Sequence, residues 1–268
     1  SGVYEKITEI SDPVEGVFQS FGSALSADLN GSTVSISPLV AGNRVGRVEV
    51  FNQNNNSSWV HAKTLWSDNN ETTNSFGIDQ KIKDNFLIVG APGESTGGQA
   101  YIFERNESGE WSSNPTVLTT SLSPGDDFGH TVEINESFAF VGAKNGDGNV
   151  TDTGAVYIFK LENNSWIETA KLIPPTDENE QGFSSDLKVL DDLIIVTAPG
   201  VGTSGMGYVY KMHDSNSSDW RLISTLDNNG STLLDSQSLP VTASRGFIIL
   251  GSHEDSATSD LAGSCKGF

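Results

Sequence analysis

The chain repeats itself, and no other property restricts its fold as tightly. "FGIDQKIKDNFLIVGA" begins at Phe76, "FGHTVEINESFAFVGA" at Phe128 and "FSSDLKVLDDLIIVTA" at Phe183. Trp59, Trp111, Trp166 and Trp220 stand 52, 55 and 54 residues apart, in the frames "SSWVHAKTL", "GEWSSNPTVL", "NSWIETAKL" and "SDWRLISTL". Ahead of each lies another matching segment: "GRVEVF", "GQAYIF", "GAVYIF" and "GYVYKM". The repeating unit is therefore about 54 residues long.

Each unit reads as four strands. The first follows Phe-Gly, a short turn such as "KDN" or "NES" leads to the second, a Gly-rich loop to the third, and an Asn/Ser-rich turn to the fourth, which contains Trp. With 28 glycines and no apolar pattern of period 3.6 sustained over twelve positions, helix should be nearly absent. Four antiparallel strands per repeat fit a β-propeller blade. Phase then suggests how the ring closes. Trp59, Trp111 and Trp166 each precede the next repeat's Phe by 17 residues, and Tyr4 precedes Phe21 by 17 as well. "VYEKITEI" thus looks like a fourth strand without its first three, while "SLPVTASRGFIILGS" and "AGSCKGF" look like three strands without a fourth.

The expectation is an all-β chain, a single β-propeller domain over 1–268 with five four-stranded antiparallel blades. Its repeats fall at 1–12 plus 236–268, 13–68, 69–122, 123–175 and 176–235, and the ring closes by pairing the N-terminal strand into the C-terminal blade. A fragment of a larger ring is the competing reading.

"FGIDQKIKDNFLIVGAPG" followed by "GGQAYIF", and "FGHTVEINESFAFVGA" followed by "GAVYIFKLENNSW", resemble the FG-GAP family of propeller repeats, which includes the integrin α-chain head. The resemblance covers nearly the whole chain. It implies the propeller fold and the company of extracellular adhesion and surface proteins, but names no ligand. Integrin-like repeats carry an Asp-x-Asp-x-Asp-Gly calcium loop between the first two strands; here that turn is only "KDN", "NES" or "LDD", so those calcium sites do not carry over. The first and last repeats are eroded, the fifth lacking Phe-Gly altogether.

The recurring glycines and aromatics read as scaffold. Gly90, Gly142 and Gly251 end second strands, where the backbone turns sharply or another backbone comes close. Trp and Phe at fixed phase fill the space between blades. "GVGTSG" at 200–205 matches a dinucleotide-binding pattern, but the next element is the strand "GYVYKM" rather than a helix, so it reads as a loop. "NGDGNVTD" offers oxygen ligands for calcium through Asn145, Asp147, Asn149 and Asp152, with a solvated turn as the alternative. "SHEDSATSD" at 252–260 occupies the same place in its repeat. His61, His130, His213 and His253 lie at different phases without metal-ligand spacing, and neither a Gly-x-Ser-x-Gly nor a His partner for Cys265 is evident. No catalytic residue and no cofactor other than calcium is expected. The chain is read as not an enzyme, although carboxylates could converge unseen in a central funnel and a polysaccharide-active enzyme is the remote alternative.

A net charge of −20 repels phosphate backbones and anionic lipid surfaces, so nucleic acid is an unfavourable partner. No apolar run approaches the roughly 20 residues of a membrane helix. Beginning at Ser1, the chain reads as part of a longer precursor; Cys265, the single cysteine, either packs as a small buried side chain or pairs with another chain. Sequons occur at Asn30, Asn55, Asn56, Asn70, Asn106, Asn135, Asn149, Asn163, Asn216 and Asn229, which points to an N-glycosylated, extracellular or cell-surface protein, unless turn-rich β-sheet simply accumulates Asn and Ser. Seven of them fall in strand 1–2 or 3–4 turns, which share one face of a propeller. The opposite face, with the strand 2–3 loops, stays open. The function expected is a binding or adhesion module that engages a protein or glycan partner there; a structural subunit or decoration of an extracellular fibre or coat is the alternative.

Overall fold

The computed structural model of the protein describes residues 9–14, 20–28, 31–39, 46–67, 75–94, 96–148, 150–176, 182–202, 205–213, 219–227, 239–244, 246–252 and 264–268. Among the described residues there are strands and no helix, and the strands form five antiparallel sheets, each paired in chain order. The first holds β1 (Ser20–Ala27), β2 (Thr33–Leu39), β3 (Arg47–Gln53) and β4 (Trp59–Trp66). The second holds β5 (Gln80–Lys83), β6 (Phe86–Ala91), β7 (Gln99–Glu104) and β8 (Thr116–Leu118). The third holds β9 (Phe128–Ile134), β10 (Phe138–Ala143), β11 (Ala155–Glu162) and β12 (Ser165–Leu172), and the fourth β13 (Leu187–Leu190), β14 (Leu193–Ala198), β15 (Met206–Met212) and β16 (Trp220–Asp227). The fifth has three strands, β17 (Val241–Ser244), β18 (Phe247–Ser252) and β19 (Ser264–Gly267). This is an all-β, propeller-like arrangement. The Tyr4 segment expected to complete the fifth sheet lies outside the described residues.

First strands of successive sheets are neighbours, β1 against β5, β5 against β9, β9 against β13 and β13 against β17. The second strands β6, β10 and β14 are buried on both faces, which is why "FLIVGA", "FAFVGA" and "LIIVTA" are almost wholly apolar. Fourth strands such as β16 are mostly exposed. Apolar cores therefore lie between sheets rather than within one, for example Val48, Leu65, Ile82 and Phe103 between the first two.

The repeat motif is an interlock between neighbours. A β-carbon at Gly46, Gly98 or Gly154, just ahead of each third strand, would stand 2.0–2.1 Å from the carbonyl oxygen of Phe76, Phe128 or Phe183 in the next sheet. Phe128 N–H donates to Gly97 O (2.9 Å) and Phe183 N–H to Thr153 O (3.0 Å) across this crossing. Only glycine lets two backbones approach so closely. Within its own sheet each Phe ring then meets the third-strand aromatics edge-on, Phe76 with Tyr101 at 5.4 Å and Phe128 with Tyr157 at 5.4 Å. Each such pair contributes ~0.5–1.5 kcal/mol beyond area burial. Gly77 and Gly129 follow with φ of +90° and +94°; Ser184 takes the same place at φ +75°.

Tryptophans bridge sheets, as the sequence suggests: Trp166 meets Phe86 of the preceding sheet at 5.4 Å, and Trp220 meets Phe140 at 5.7 Å. One detail differs. Trp111 stands ahead of β8 in an isolated bridge to Arg105 rather than inside a fourth strand. Pro115 lacks an N–H and interrupts the ladder between them. Close approach at the second-strand glycines is also observed, since a β-carbon at Gly90 would lie 1.9 Å from Gly129 O.

Candidate functional site

Alternation along a strand places every second residue on one face. The third and fifth residues after the repeat's Phe are Asp79 and Lys81, Thr131 and Glu133, Asp186 and Lys188, with Asp79 and Asp186 immediately ahead of β5 and β13. These segments, with Ser26 of β1 and Val241 of β17, line one polar cavity of about 380 Å³ to which the first-strand segment of every sheet contributes.

Two carboxylates tie neighbouring sheets together. Asp79 accepts the Gln80 N–H at Oδ1 (2.9 Å) and the Val132 N–H of the next sheet at Oδ2 (2.7 Å). Asp186 does the same with Leu187 N–H (2.8 Å) and Val241 N–H (2.7 Å). Glu133 lies between two lysines, its Oε1 2.5 Å from Lys188 Nζ and 3.6 Å from Lys81 Nζ. Burial pushes the Asp79 pKa up to about 6; the two backbone bonds oppose this, and the Glu133 and Asp186 charges reinforce it. Asp186 is raised for the same first reason, burial. Lys81 is lowered, by burial and then by Lys188, against the attraction of Glu133. For Lys188 burial also pulls down, but its contact with Glu133 outweighs it and the net direction is up. The result is a set of acids and bases with shifted proton affinities around a shared opening, the arrangement found at functional sites.

The loop expected to hold calcium lies elsewhere, between β10 and β11. Asp147 Oδ1 accepts the Asp152 N–H (3.3 Å), and Asp147 O accepts a bond from Lys171 (2.7 Å). Asn145 turns away, its Nδ2 donating to Asp127 Oδ2 (2.8 Å) and Gly125 O (3.3 Å). Burial, then the charges of Asp147 and Asp152, raise Asp126, so these carboxylates share a neighbourhood. Asn149 is outside the described residues, as are residues 253–260 of the second candidate loop. Among the described residues no three His, Cys, Asp or Glu form a group that would hold a metal ion. The "GVGTSG" stretch joins β14 to β15, with its described residues in a loop. No helix among the described residues is long and apolar enough to cross a membrane.

The sequons that are described all fall at one end of the sheets. Asn55 and Asn56 lie in the β3–β4 turn, Asn106 between β7 and β8, Asn163 in the β11–β12 turn and Asn135 in the β9–β10 turn. Asn55, Asn56, Asn106 and Asn163 are exposed and Asn135 half-buried. These asparagines also build their turns: Asn135 Oδ1 accepts the N–H of Ser137 (2.9 Å) and Phe138 (2.8 Å), and Asn163 and Asn164 take φ of 48° and 63°. Asn30, Asn70, Asn149, Asn216 and Asn229 lie outside the described residues.

Sequence reasoning named none of these cavity residues. The available signal was an alternation of charges, "DQK", "VEI" and "DLK", inside strands whose neighbours on both sides are covered.

Residues 116–159 match the FG-GAP repeat family, a stretch that runs from β8 to Phe159 in β11. The resemblance read from the repeats is thereby supported. No curated protein matches the chain. Solved structures of similar shape include a candidate 6-phosphogluconolactonase from Bacteroides uniformis, 7% identical over 87% of this chain and 78% of that one (TM-score 0.49). Another, from Bacteroides fragilis, is 11% identical over 92% and 84% (TM-score 0.49). A hypothetical selenium-binding protein from Sulfolobus tokodaii is 10% identical over 88% and 72% (TM-score 0.40). The first two correct one expectation, that the chain is not an enzyme: proteins of similar shape are named for a lactonase, and a fold hosts unrelated functions. At 7–11% identity they assign no reaction to this chain.

Proposed function

We propose that this chain, which carries an FG-GAP repeat in an all-β propeller-like fold, is a five-bladed propeller closed by its N-terminal strand, and a secreted or surface-displayed binding module. Its partner, a protein or a glycan, docks on the face formed by the strand 2–3 loops. The observation that carries this reading is the position of the sequons. All five that are described sit in strand 1–2 or 3–4 turns, so glycans there would cover one end and leave the other for contact. The other end carries the variable connections 92–98, 144–154 and 199–205. Closure is supported by the three-stranded fifth sheet and by a cavity shared between β1 and β17 segments.

Two experiments test it. Wild-type protein made in a secretory host, and a variant with residues 145–152 replaced by a Gly-Ser linker, are probed on an array of extracellular proteins and glycans. The linker variant should lose binding that Asn→Gln substitutions at Asn55, Asn106 and Asn163 retain; the reverse pattern refutes the face assignment. Deleting residues 1–12 should lower the unfolding midpoint by several degrees, and an unchanged midpoint refutes closure by that strand.

A further inference from the structure

The end of the sheets opposite the described sequons carries a pocket of its own. It has a volume of about 600 Å³ and lies between the β6–β7 connection, 92–98, and the segment 119–127 that leads from β8 to β9. Thr96, Gln99, Thr119, Thr120, Ser121 and Ser123 line it, with Leu122 as the one large apolar side chain. The two walls are fixed against each other. A β-carbon at Gly97 would stand 2.3 Å from Ser123 O, so backbone lies on backbone with no side chain between. Ser123 N–H donates to Asp126 Oδ2 (2.8 Å), and Asp126 N–H donates back to Ser123 O (3.1 Å). Gln99 is held as well: the hydroxyl of the buried Tyr101 donates to its Oε1 (2.6 Å) and lies 3.0 Å from Oε1 of the buried Glu94. With one end of the Gln99 amide engaged there, the other end remains for a ligand. A pocket built this way binds without first ordering its own walls.

Wall chemistry narrows the class. No described residue in the wall is ionisable, so an anionic ligand meets no cation to offset the chain's net charge of −20, and a cationic one meets no carboxylate. Hydroxyls and an amide both donate and accept, which matches a ligand whose own groups do both, and sugar hydroxyls are of that kind. A protein partner docks by burying aromatic, apolar or arginine anchors. This wall offers such an anchor neither a carboxylate nor more than one large apolar side chain. The volume falls within the range of small-molecule sites, with room for about two sugar rings.

We propose that this pocket is the contact point of the loop face and that it takes an uncharged glycan, held through Gln99 and the hydroxyls of the 119–123 segment. The site lies on the loop face proposed above and rests on that reading, with the glycan rather than the protein as partner. Saturation-transfer NMR on the intact chain tests it with cellobiose, maltose, lactose and N,N′-diacetylchitobiose as neutral probes and a sulfated heparin disaccharide as the charged one. At least one neutral disaccharide should bind, with a Kd on the order of 1 mM, and the sulfated one should be weaker by about tenfold or more. Ser121→Trp, at an exposed position, fills the pocket and should weaken that binding by about tenfold or more. Thr119→Trp, also at an exposed position, should do the same and keeps the test decisive should Ser121→Trp fail to fold. Absence of binding by all four neutral probes, equal binding of the sulfated one, or binding unchanged in both Trp variants each overturns the proposal. Capture of an extracellular protein that the 145–152 linker variant loses, without binding of any disaccharide, overturns glycan recognition here and leaves the loop face standing. The linker variant keeps the pocket walls and should bind the disaccharide normally, so failure of the wider face is distinguishable from failure of this site.

Discussion

Replacing Gly154 by alanine tests the interlock on which the fold rests. Gly154 has φ +87°, and a β-carbon there would lie 2.0, 2.7 and 2.8 Å from the O, N and C atoms of Phe183. All three are backbone atoms of the next sheet, so no side chain can swing aside. Alanine in this region of φ costs ~1–2 kcal/mol. Forced separation of packed strands costs ~1–3 kcal/mol. Loss of the Phe183 N–H bond to Thr153 O (3.0 Å) costs a further ~1 kcal/mol. Removing glycine's freedom from the unfolded chain returns ~0.4–1 kcal/mol. The net expectation is a loss of about 4 kcal/mol, or roughly 10 °C in Tm. Gly109 is the control, because its φ is +83° but nothing lies within 4 Å of a β-carbon there; Gly109→Ala should cost only ~1 kcal/mol. Urea unfolding followed by tryptophan fluorescence, with m-values compared, reads the difference. If Gly154→Ala is no more destabilising than Gly109→Ala, the glycine does not serve the crossing and the account of the motif is wrong.

Ser184 occupies a place that asks for glycine, at φ +75° with a buried Oγ that has no hydrogen-bond partner. Ser184→Gly should therefore stabilise the protein by about 1 kcal/mol in the same urea assay, and a loss of stability would contradict the strain argument. Asp79, raised to about 6 from 3.8 by burial, favours the folded state when protonated: its contribution is complete below pH 3.8 and is lost as pH rises through about 6. The stability difference between wild type and Asp79→Asn should accordingly shift by ~3 kcal/mol against wild type between pH 3.5 and 7; a flat difference would mean that the carboxyl is not held in a desolvated site.

Much of the fold was legible because a repeat fixes phase. The 17-residue interval from Trp to Phe located the boundaries ahead of the second, third and fourth sheets, and "FLIVGA" and "FAFVGA" marked strands covered on both faces. Gly98 and Gly154 were visible as a recurring position, though not as the point where Phe128 and Phe183 cross. Trp111 was misjudged by a few residues, since a fixed phase says nothing of what Pro115 does to one ladder.

By itself the sequence determined the strand pattern, the order of the sheets and the shared end of the five sequons among the described residues, because these follow from local turn chemistry and from a period that survives in one dimension. The cavity lined by the first-strand segments was decided only by the tertiary structure. Asp79 reaches Val132 and Asp186 reaches Val241 across 53 and 55 residues of chain, one full repeat in each case. Such pairs meet only when successive sheets stack with their first strands side by side, and burial there, not residue identity, sets the proton affinities of the carboxylates.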